Sequence, residues 1–266
     1  MYDFELKLWN EGNIPYVTDG ADNPNTMRGF LADTDNPTTT VVVIPGGGYW
    51  CRAPHEGDPM AEYFRSLGFN AFSVDYRVKP NRHPAPLADA QRAIKIVRKN
   101  AKEWNVDENK IVVIGFSAGG HLAASCGVLD DVTATREGAD EIDAKSAKPN
   151  GMVLCYPVIH MFDDFGHPGS PKNLFGDDVD DETRAYYSLE NRVSADTPPT
   201  FIWHTSDDSC VNVKNSLVFA ERLRDNGVQF EMHIYPHGPH GLGIGVDDDR
   251  LPHLAELIAE WIRRSI

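Results

Sequence analysis

The stretch Ile111-Val-Val-Ile-Gly-Phe-Ser-Ala-Gly-Gly-His121 indicates the fold of this chain more strongly than any other part of the sequence. A β-branched run ends in the pattern Gly115-x-Ser117-x-Gly119 and passes directly into a helix-forming segment. A serine on such a tight strand-to-helix turn is held in a strained backbone, with its hydroxyl exposed at the edge of a sheet. Glycine is needed on both sides because a Cβ there would strike the neighbouring strand or helix. The stretch therefore predicts a nucleophilic serine and a serine hydrolase.

Apolar, β-branched runs alternate with helix-period segments on both sides of this turn. Such alternation implies a mostly parallel sheet with helices on both faces. Two earlier runs are expected to add antiparallel strands, which makes an eight-stranded α/β sheet. We predict strands at residues 4–8, 26–31, 40–44, 70–74, 110–114, 151–156, 200–203 and 229–235, and helices at 54–67, 87–103, 213–225 and 251–266, the last with the acidic run 247–249 in its first turn.

Residues 158–199 interrupt this alternation with a polar segment rich in Asp, Gly and Pro. A connection of this length inside a compact domain is usually a functional lid or cap. We therefore predict a single domain over residues 1–266, with a lid-like excursion over the active site at about 158–199. The excursion contains four polar side chains that could be considered as metal ligands: His160, Asp163, Asp164 and His167. They lack the spacing of a zinc site, so no metal is predicted and a surface position is expected for them.

Composition restricts the classes of partner. A net charge of −15 over 266 residues opposes binding to nucleic acid or to anionic membranes, and favours neutral or cationic small substrates. The sequence contains no run of about 18 apolar residues, so no membrane span is predicted. The start of the sequence lacks a basic region followed by an apolar stretch, so no signal peptide is expected. Four cysteines without Cys-x-x-Cys spacing are typical of reduced thiols and predict a cytoplasmic protein.

A base and an acid follow the serine in the order that this chemistry requires. A serine hydroxyl becomes a useful nucleophile when a histidine takes its proton and an acid orients that histidine. Downstream of Ser117, one predicted strand runs into a loop with Asp207 and Asp208, and the last predicted strand is followed by His237 and His240. All lie beyond carboxyl ends of strands, where open α/β sheets bind ligands. The residues alone leave open which acid and which histidine act.

The glycine run Pro45-Gly-Gly-Gly-Tyr49 comes directly after the first buried strand. Ester hydrolysis passes through a tetrahedral oxyanion that preorganised backbone N–H groups stabilise. Consecutive glycines let the backbone approach that oxygen without a Cβ in the way. We predict an oxyanion hole formed by the N–H groups of Gly47, Gly48 and Ala118, the last being the residue after the nucleophile. This chemistry requires no metal or organic cofactor.

Taken together, these motifs resemble those of serine esterases with the α/β-hydrolase fold, in particular the acetylxylan esterase-like carboxylesterases. The resemblance covers nearly the whole chain, which makes it more specific than any single motif. The matching pieces are Leu8-Trp9 with Gly12 and Pro15, Pro45–Tyr49 with Glu56-Gly57, Tyr76–Val78 with Pro80, Pro84–Leu87 with Asp89, Gly115–His121, Ser188–Glu190 with Pro198-Pro199, His204-Thr205 and Pro239–Gly241.

The resemblance implies an esterase that removes short acyl groups, commonly acetyl, from sugars such as acetylated xylo-oligosaccharides through an acyl-enzyme. It also favours His240 as the base. In the wider fold the acid usually lies three residues before a valine that opens the next segment, so Val211 favours Asp208 over Asp207. A small-molecule ester is then the expected partner, and a homo-oligomer is compatible with the sequence.

Two positions depart from related patterns. Pro45 stands where the hormone-sensitive lipase branch has a histidine, and Asn212 stands where proline is common after the valine. Neither change removes a catalytic group, but both weaken the transfer of a substrate by analogy. Two alternatives therefore remain beside the ester hypothesis. One is an arylformamidase or peptidase that uses the same triad on an amide, and the other is a non-catalytic binding protein with the same fold.

Overall fold

A computed structural model describes residues 1–22, 24–246 and 248–266 of the chain. Its central element is an eight-stranded sheet, as the sequence predicts. Most strand ends fall within one or two residues of the predicted bounds, and β5 starts four residues earlier. The strands are β1 (Phe4–Lys7), β2 (Thr26–Phe30), β3 (Thr38–Ile44), β4 (Asn70–Asp75), β5 (Val106–Phe116), β6 (Gly151–Cys155), β7 (Thr200–Thr205) and β8 (Phe230–Tyr235).

The strand order in the sheet is β1-β2-β4-β3-β5-β6-β7-β8. The first two strands pair antiparallel with their neighbours, and all pairs from β4 to β8 are parallel. After β3 the chain goes outward to β4 and then returns past β3 to β5, so the direction of winding reverses between β3 and β5. At such a reversal the loops that follow the two strands separate, which opens a crevice at their carboxyl ends. The predicted mostly parallel α/β fold is confirmed.

Helices cover both faces of the sheet. One face carries α1 and α7, and the opposite face carries α2, α3 and α6. No helix in the described ranges is both long and apolar enough to cross a membrane. The helices are α1 (Asp58–Ser66), α2 (Ala85–Lys99), α3 (Ala118–Val128), α4 (Gly169–Phe175), α5 (Asp181–Tyr187), α6 (Lys214–Asp225) and α7 (Leu254–Ser265), with 3-10 helices at Pro54–Glu56 and Leu189–Asn191.

The core consists of two apolar layers separated by the sheet. Successive side chains of a strand point to opposite faces, so each central strand contributes to both layers. In β3, Val42 and Ile44 face α2 and α3, whereas Val41 and Val43 face α1 and α7. Because both faces are buried, the middle stretches of β3, β5 and β6 are continuously apolar rather than alternating: Val41–Ile44, Ile111–Ile114 and Met152–Cys155.

Two predicted helices differ from the structure at their starts. The helix expected over 54–67 is divided, because the backbone of Gly57 takes φ −97° and ψ −110° between the 3-10 helix and α1. The last helix begins at Leu254 rather than at residue 251, so the acidic run 247–249 precedes it and does not form its first turn. Asp247 itself lies outside the described residues.

The close approach of α3 to β3 yields a test of the fold. A Cβ on Gly119 would lie 2.3 Å from the carbonyl oxygen of Ile44 and 2.5 Å from that of Pro45. We expect Gly119→Ala to lower the free energy of unfolding by about 3 kcal/mol or more, because backbone atoms cannot rotate away. Gly68→Ala is the control: nothing lies within 4 Å of its Cβ position, and only the cost of φ +87° applies, about 1–2 kcal/mol. Urea denaturation measures both values, and an equal loss would contradict the prediction.

Candidate active site

Ser117 occupies the turn between β5 and α3 with a strained backbone. Its φ of 54° and ψ of −119° lie outside the regions that residues with a side chain normally adopt. The flanking glycines make this turn possible, because a Cβ on Gly115 would lie 2.2 Å from the carbonyl oxygen of Gly119. The turn leaves Ser117 8% exposed at the carboxyl end of the sheet. The hydroxyl therefore stands in the crevice that the topology opens.

His240 connects the serine to an acid. Its Nε2 lies 2.8 Å from Ser117 Oγ, and its Nδ1 lies 2.7 Å from Asp208 Oδ2. Since a carboxylate only accepts, Nδ1–H donates to Asp208, and Nε2 of the neutral ring is then the acceptor for the serine hydroxyl. The structure thus brings together the three residues that the sequence singled out, from the ends of β5, β7 and β8.

Asp208 is held as a buried carboxylate by several donors. Its Oδ1 accepts the backbone N–H groups of Cys210 and Val211 at 2.8 and 3.0 Å, and its Oδ2 lies 3.3 Å from Nε2 of the buried His204. Burial by itself would raise the pKa of this carboxyl. Hydrogen bonds from His204, His240 and the backbone outweigh burial, so the pKa lies well below its usual value. Asp208 therefore stays ionised across the physiological range.

The neighbouring acid and the other candidate histidine form a separate pair. Asp207 Oδ2 lies 2.9 Å from His237 Nδ1, and its Oδ1 accepts the N–H of Gly238 at 2.9 Å. The side chains of Asp207 and His237 are 50% and 81% exposed, whereas that of Asp208 is 1% exposed. Neither Asp207 nor His237 is hydrogen-bonded to Ser117 or His240. The two adjacent acids thus point in different directions, Asp208 into the crevice and Asp207 towards solvent.

The glycine loop after β3 lies against Ser117 and is fixed through its carbonyl groups. Gly46 O accepts the N–H of Ala53, Gly47 O accepts the N–H of Trp50, and Gly48 O accepts Asn173 Nδ2. The φ angles of +122° at Gly47 and +62° at Gly48 lie in a region that favours glycine. Fixed carbonyl groups fix the peptide planes, and with them the directions of the N–H groups.

Ala118 adds an N–H group from the other side of the serine. It is the first residue of α3, so its N–H has no acceptor one turn back in the helix. The positive end of the helix dipole also lies there and favours an anion. The loop after β3 and the start of α3 together can therefore stabilise a negative oxygen beside Ser117.

The excursion at 158–199 folds into two short helices, α4 and α5, and packs on this site. From α4, Asn173 donates to Gly48 O at 2.9 Å. At the end of α5, the carbonyl oxygen of Tyr187 accepts His121 Nε2–H at 2.9 Å, and His121 Nδ1 accepts the hydroxyl of Tyr49 at 2.8 Å. Its role as a lid and the single-domain assignment remain predictions.

The histidines of the excursion bind neighbouring side chains. His160 bonds to Glu190 through Nδ1 at 2.5 Å and to Asp164 through Nε2 at 2.9 Å, and its ring stacks on Phe165. His167 Nδ1 lies 2.9 Å from the hydroxyl of Ser170. Within the part of the chain that the structure describes, no group of three His, Cys, Asp or Glu side chains is placed to hold a metal.

Sequence reasoning missed three buried side chains around the site: His204, Glu56 and Tyr156. Two of them fall in matching motifs, but no spacing rule assigned them a contact. His204 touches Asp208 because it lies near the end of β7, directly before the loop that carries the acid. No pattern along the sequence identifies these contacts, because burial is known only from the folded chain.

Comparison with known proteins identifies a family and relatives of this chain. The family model BD-FAE matches residues 30–223. The chain is 38% identical over 250 residues to endo-1,4-beta-xylanase B of Butyrivibrio fibrisolvens, and 31% identical over 235 residues to an acetylxylan esterase of Xylanibacter ruminicola. An acetyl ester-xyloside bifunctional hydrolase from Caldicellulosiruptor lactoaceticus superimposes with a TM-score of 0.92 at 43% identity, covering 98% of this chain and 95% of that one.

The chain belongs to the BD-FAE family, and its fold is that of the α/β-hydrolase esterases. The matches cover 92% and 86% of this chain but 39% and 46% of the Butyrivibrio and Xylanibacter proteins, in that order. The chain thus spans less than half of the length of these two curated relatives.

Two histidines next to the site, the buried His121 and the partly buried His83, predict a dependence of stability on pH. Burial lowers the pKa of both His83 and His121 to about 4, against about 6.5 in an unfolded chain. Between these values the unfolded state binds more protons, so stability falls as the pH is lowered from about 6.5 towards 4. We expect the free energy of unfolding, measured by urea titration, to decrease already between pH 6.5 and 5, where carboxylates contribute little.

The variant His83→Phe isolates one of these groups. It keeps an aromatic ring next to Phe175 and Tyr187 but removes the titrating nitrogen atoms. The decrease between pH 6.5 and 5 should therefore become shallower. An unchanged slope in the variant, or a flat profile in the wild type, would show that these histidines do not titrate as described.

Proposed function

We propose that this chain is a serine carboxylesterase that removes short acyl groups, acetyl above all, from sugars such as acetylated xylo-oligosaccharides. The observation that carries the proposal is the continuous hydrogen-bonded series from Ser117 through His240 to Asp208, beside a fixed glycine loop. The acetylxylan esterase and the acetyl ester-xyloside hydrolase among the similar proteins support the ester and the acetylated sugar. The net charge of −15 favours a neutral substrate of this kind.

In the proposed mechanism Ser117 is the nucleophile and His240 the general base. The hydroxyl of Ser117 attacks the ester carbonyl while Nε2 of His240 takes its proton. Asp208, held ionised by its donors, stabilises the imidazolium that forms and keeps Nδ1–H directed towards itself. His240 then gives the proton to the leaving alcohol oxygen, and the acyl group stays on Ser117. Water, activated by the same histidine, releases the acid and restores the serine.

The N–H groups of Gly47, Gly48 and Ala118 are proposed to bind the oxyanion of each tetrahedral intermediate. Loss of one such donor typically lowers the rate by about 10²–10³-fold. Their fixed directions matter because donors that need no reorientation stabilise the charge as it develops. The bond from Asn173 to Gly48 O gives the excursion a direct part in holding this loop.

We also propose a single domain over the chain, with the excursion at 158–199 as a lid that shapes the acyl and sugar pocket. A cytoplasmic location belongs to the same proposal. It is supported by four cysteines that form no disulfide with one another: Cys51, Cys126, Cys155 and Cys210.

The first test compares ester hydrolysis by the wild type and Ser117→Ala. With p-nitrophenyl acetate, butyrate and octanoate, the wild type should prefer acetate, and Ser117→Ala should lose at least about 10⁴-fold in kcat. Ser125→Ala is a matched control on α3, the helix that follows Ser117, because its hydroxyl bonds to the carbonyl oxygen of His121 within that helix. It should keep nearly full activity. Acetate release from acetylated xylo-oligosaccharides, followed by chromatography, then tests the sugar.

Other outcomes of this experiment distinguish the alternatives. Equal rates for the wild type and Ser117→Ala would reject Ser117 as the nucleophile for esters. Slow ester turnover with fast hydrolysis of an aryl formamide or a peptide amide would favour the amide-hydrolysing alternatives. Absence of any reaction of Ser117 with an organophosphonate probe would favour a binding protein.

The two adjacent acids form a matched pair for the second test. Asp208→Asn should lower kcat by about 10³–10⁴-fold, because an amide can donate to Nδ1 and so stabilise the wrong tautomer of His240. Asp207→Asn makes the same chemical change one residue away, at the exposed pair with His237, and should alter kcat less than about fivefold. Steady-state kinetics on p-nitrophenyl acetate measure both. A larger loss in Asp207→Asn would reverse the assignment.

A further inference from the structure

Glu56 places a buried carboxylate between the glycine loop and the loop that carries His240. The residue ends the 3-10 helix after the glycine loop and is only 2% exposed. Its Oε2 accepts the N–H of Gly46 at 2.8 Å, and its Oε1 accepts the hydroxyl of Tyr156 at 2.6 Å. Both oxygen atoms therefore accept a hydrogen bond, one from the backbone of the glycine loop and one from the side chain of Tyr156.

Tyr156 extends this contact to the histidine. It follows β6 and is 2% exposed, and its hydroxyl oxygen accepts the N–H of Gly243 at 2.8 Å. The edge-to-face contact of its ring with the imidazole of His240 has centroids 4.8 Å apart. One side chain thus holds both the backbone and the ring of the histidine loop. The neighbour of Glu56 adds a second bond, because His55 Nε2–H donates to Gly241 O at 2.9 Å.

The arrangement suits a carboxylate and no other side chain of this size. A carboxylate offers two acceptor oxygens, whereas a glutamine would turn an NH₂ group towards either the N–H of Gly46 or the hydroxyl of Tyr156. The Nε2 atom of His55 lies 3.7 Å from Oε1, and no Lys or Arg side chain in the described ranges forms an ion pair with Glu56. A buried carboxylate without such a pair costs stability. Its presence here is therefore better explained by what it positions.

The position of Gly46 shows how directly this carboxylate bears on the site. A Cβ on Gly46 would lie 2.7 Å from Glu56 Oε2 and 3.0 Å from Ser117 Cβ. The backbone of the glycine loop at Gly46 is thus close to both Glu56 and the serine. A shift of Glu56 would move this backbone relative to Ser117.

We propose that Glu56 is a positioning residue of the reaction. Through Gly46 and Tyr156 it sets the glycine-loop donors and the imidazole of His240 at a fixed separation around the carbonyl under attack. The inference rests on the proposed esterase function. Glu56 bonds to Gly46 and Tyr156 and forms no hydrogen bond with Ser117, His240 or Asp208, so we expect its loss to affect the chemical step rather than binding.

The test uses Glu56→Gln, Tyr156→Phe and the double variant. Each single change should lower kcat on p-nitrophenyl acetate by about 10–100-fold, since a misplacement of about 1 Å can cost about 10²-fold. KM should stay within about threefold, because ground-state binding surfaces are unchanged. The double variant should be no slower than the slower single variant, because both changes break the same bridge.

Tyr49→Phe is the matched control for general loosening of the site. It also removes a buried tyrosine hydroxyl that bonds a side chain, at 2.8 Å from His121 Nδ1, directly after the glycine loop. It should keep kcat within about twofold of the wild type. Circular dichroism melting establishes that each variant is folded at the assay temperature. If Glu56→Gln does not fold, Tyr156→Phe decides by the same criteria.

Several outcomes would overturn the proposal. These are wild-type kcat in the folded variants, additive losses in the double variant, a loss expressed in KM, or an equal loss in Tyr49→Phe. Failure of the esterase hypothesis itself is distinguishable, because the wild type would then show no hydrolysis that depends on Ser117. That result would remove both proposals, whereas active wild type with unaffected variants removes only the role of Glu56.

Discussion

The backbone of α3 meets the ends of β3 and β5 with no side chain between them, and the site depends on this contact. Gly115 and Gly119 lie at that junction, where an added Cβ would overlap carbonyl oxygens at 2.2 and 2.3 Å. The contact places the start of α3, and with it the N–H of Ala118, beside the glycine loop. It also forces Ser117 into a positive φ, which directs its hydroxyl into the crevice. The backbone atoms at Gly115 and Gly119 therefore determine both the packing of α3 on the sheet and the position of the Ser117 hydroxyl.

Around this junction the protein distinguishes between carboxylates by their surroundings. Asp208 is buried and receives several donors, so it stays ionised and holds a histidine. Asp207 is half-exposed at the rim and pairs with a solvated histidine. Glu56 is buried with an N–H and a phenol as its donors. Identical functional groups thus differ in role because desolvation and hydrogen bonds differ at each place.

Much of the fold was predictable because it rests on short-range patterns. Apolar segments, rich in β-branched residues at β3 and β5, identified all eight strands, and glycines marked the turns that need them. The errors fell at element boundaries, where a few backbone angles decide: β5 begins four residues before its predicted start, and α2 ends at Lys99 rather than at residue 103. Gly57 divides one predicted helix, and α7 begins three residues after its predicted start. Such boundaries depend on local hydrogen bonds that periodicity does not encode.

The sequence by itself determined the succession of strands and helices along the chain, the serine turn and the glycine loop, since each follows from residue type and spacing. It also restricted the acid and the base to two candidates each. Only the tertiary structure decided which of them meet Ser117, because adjacent residues on a loop point in directions that the whole sheet sets. It alone revealed the contacts of His204, Glu56 and Tyr156. Their bonds join segments as far as 100 residues apart, and a contact at that separation is created only when the chain folds.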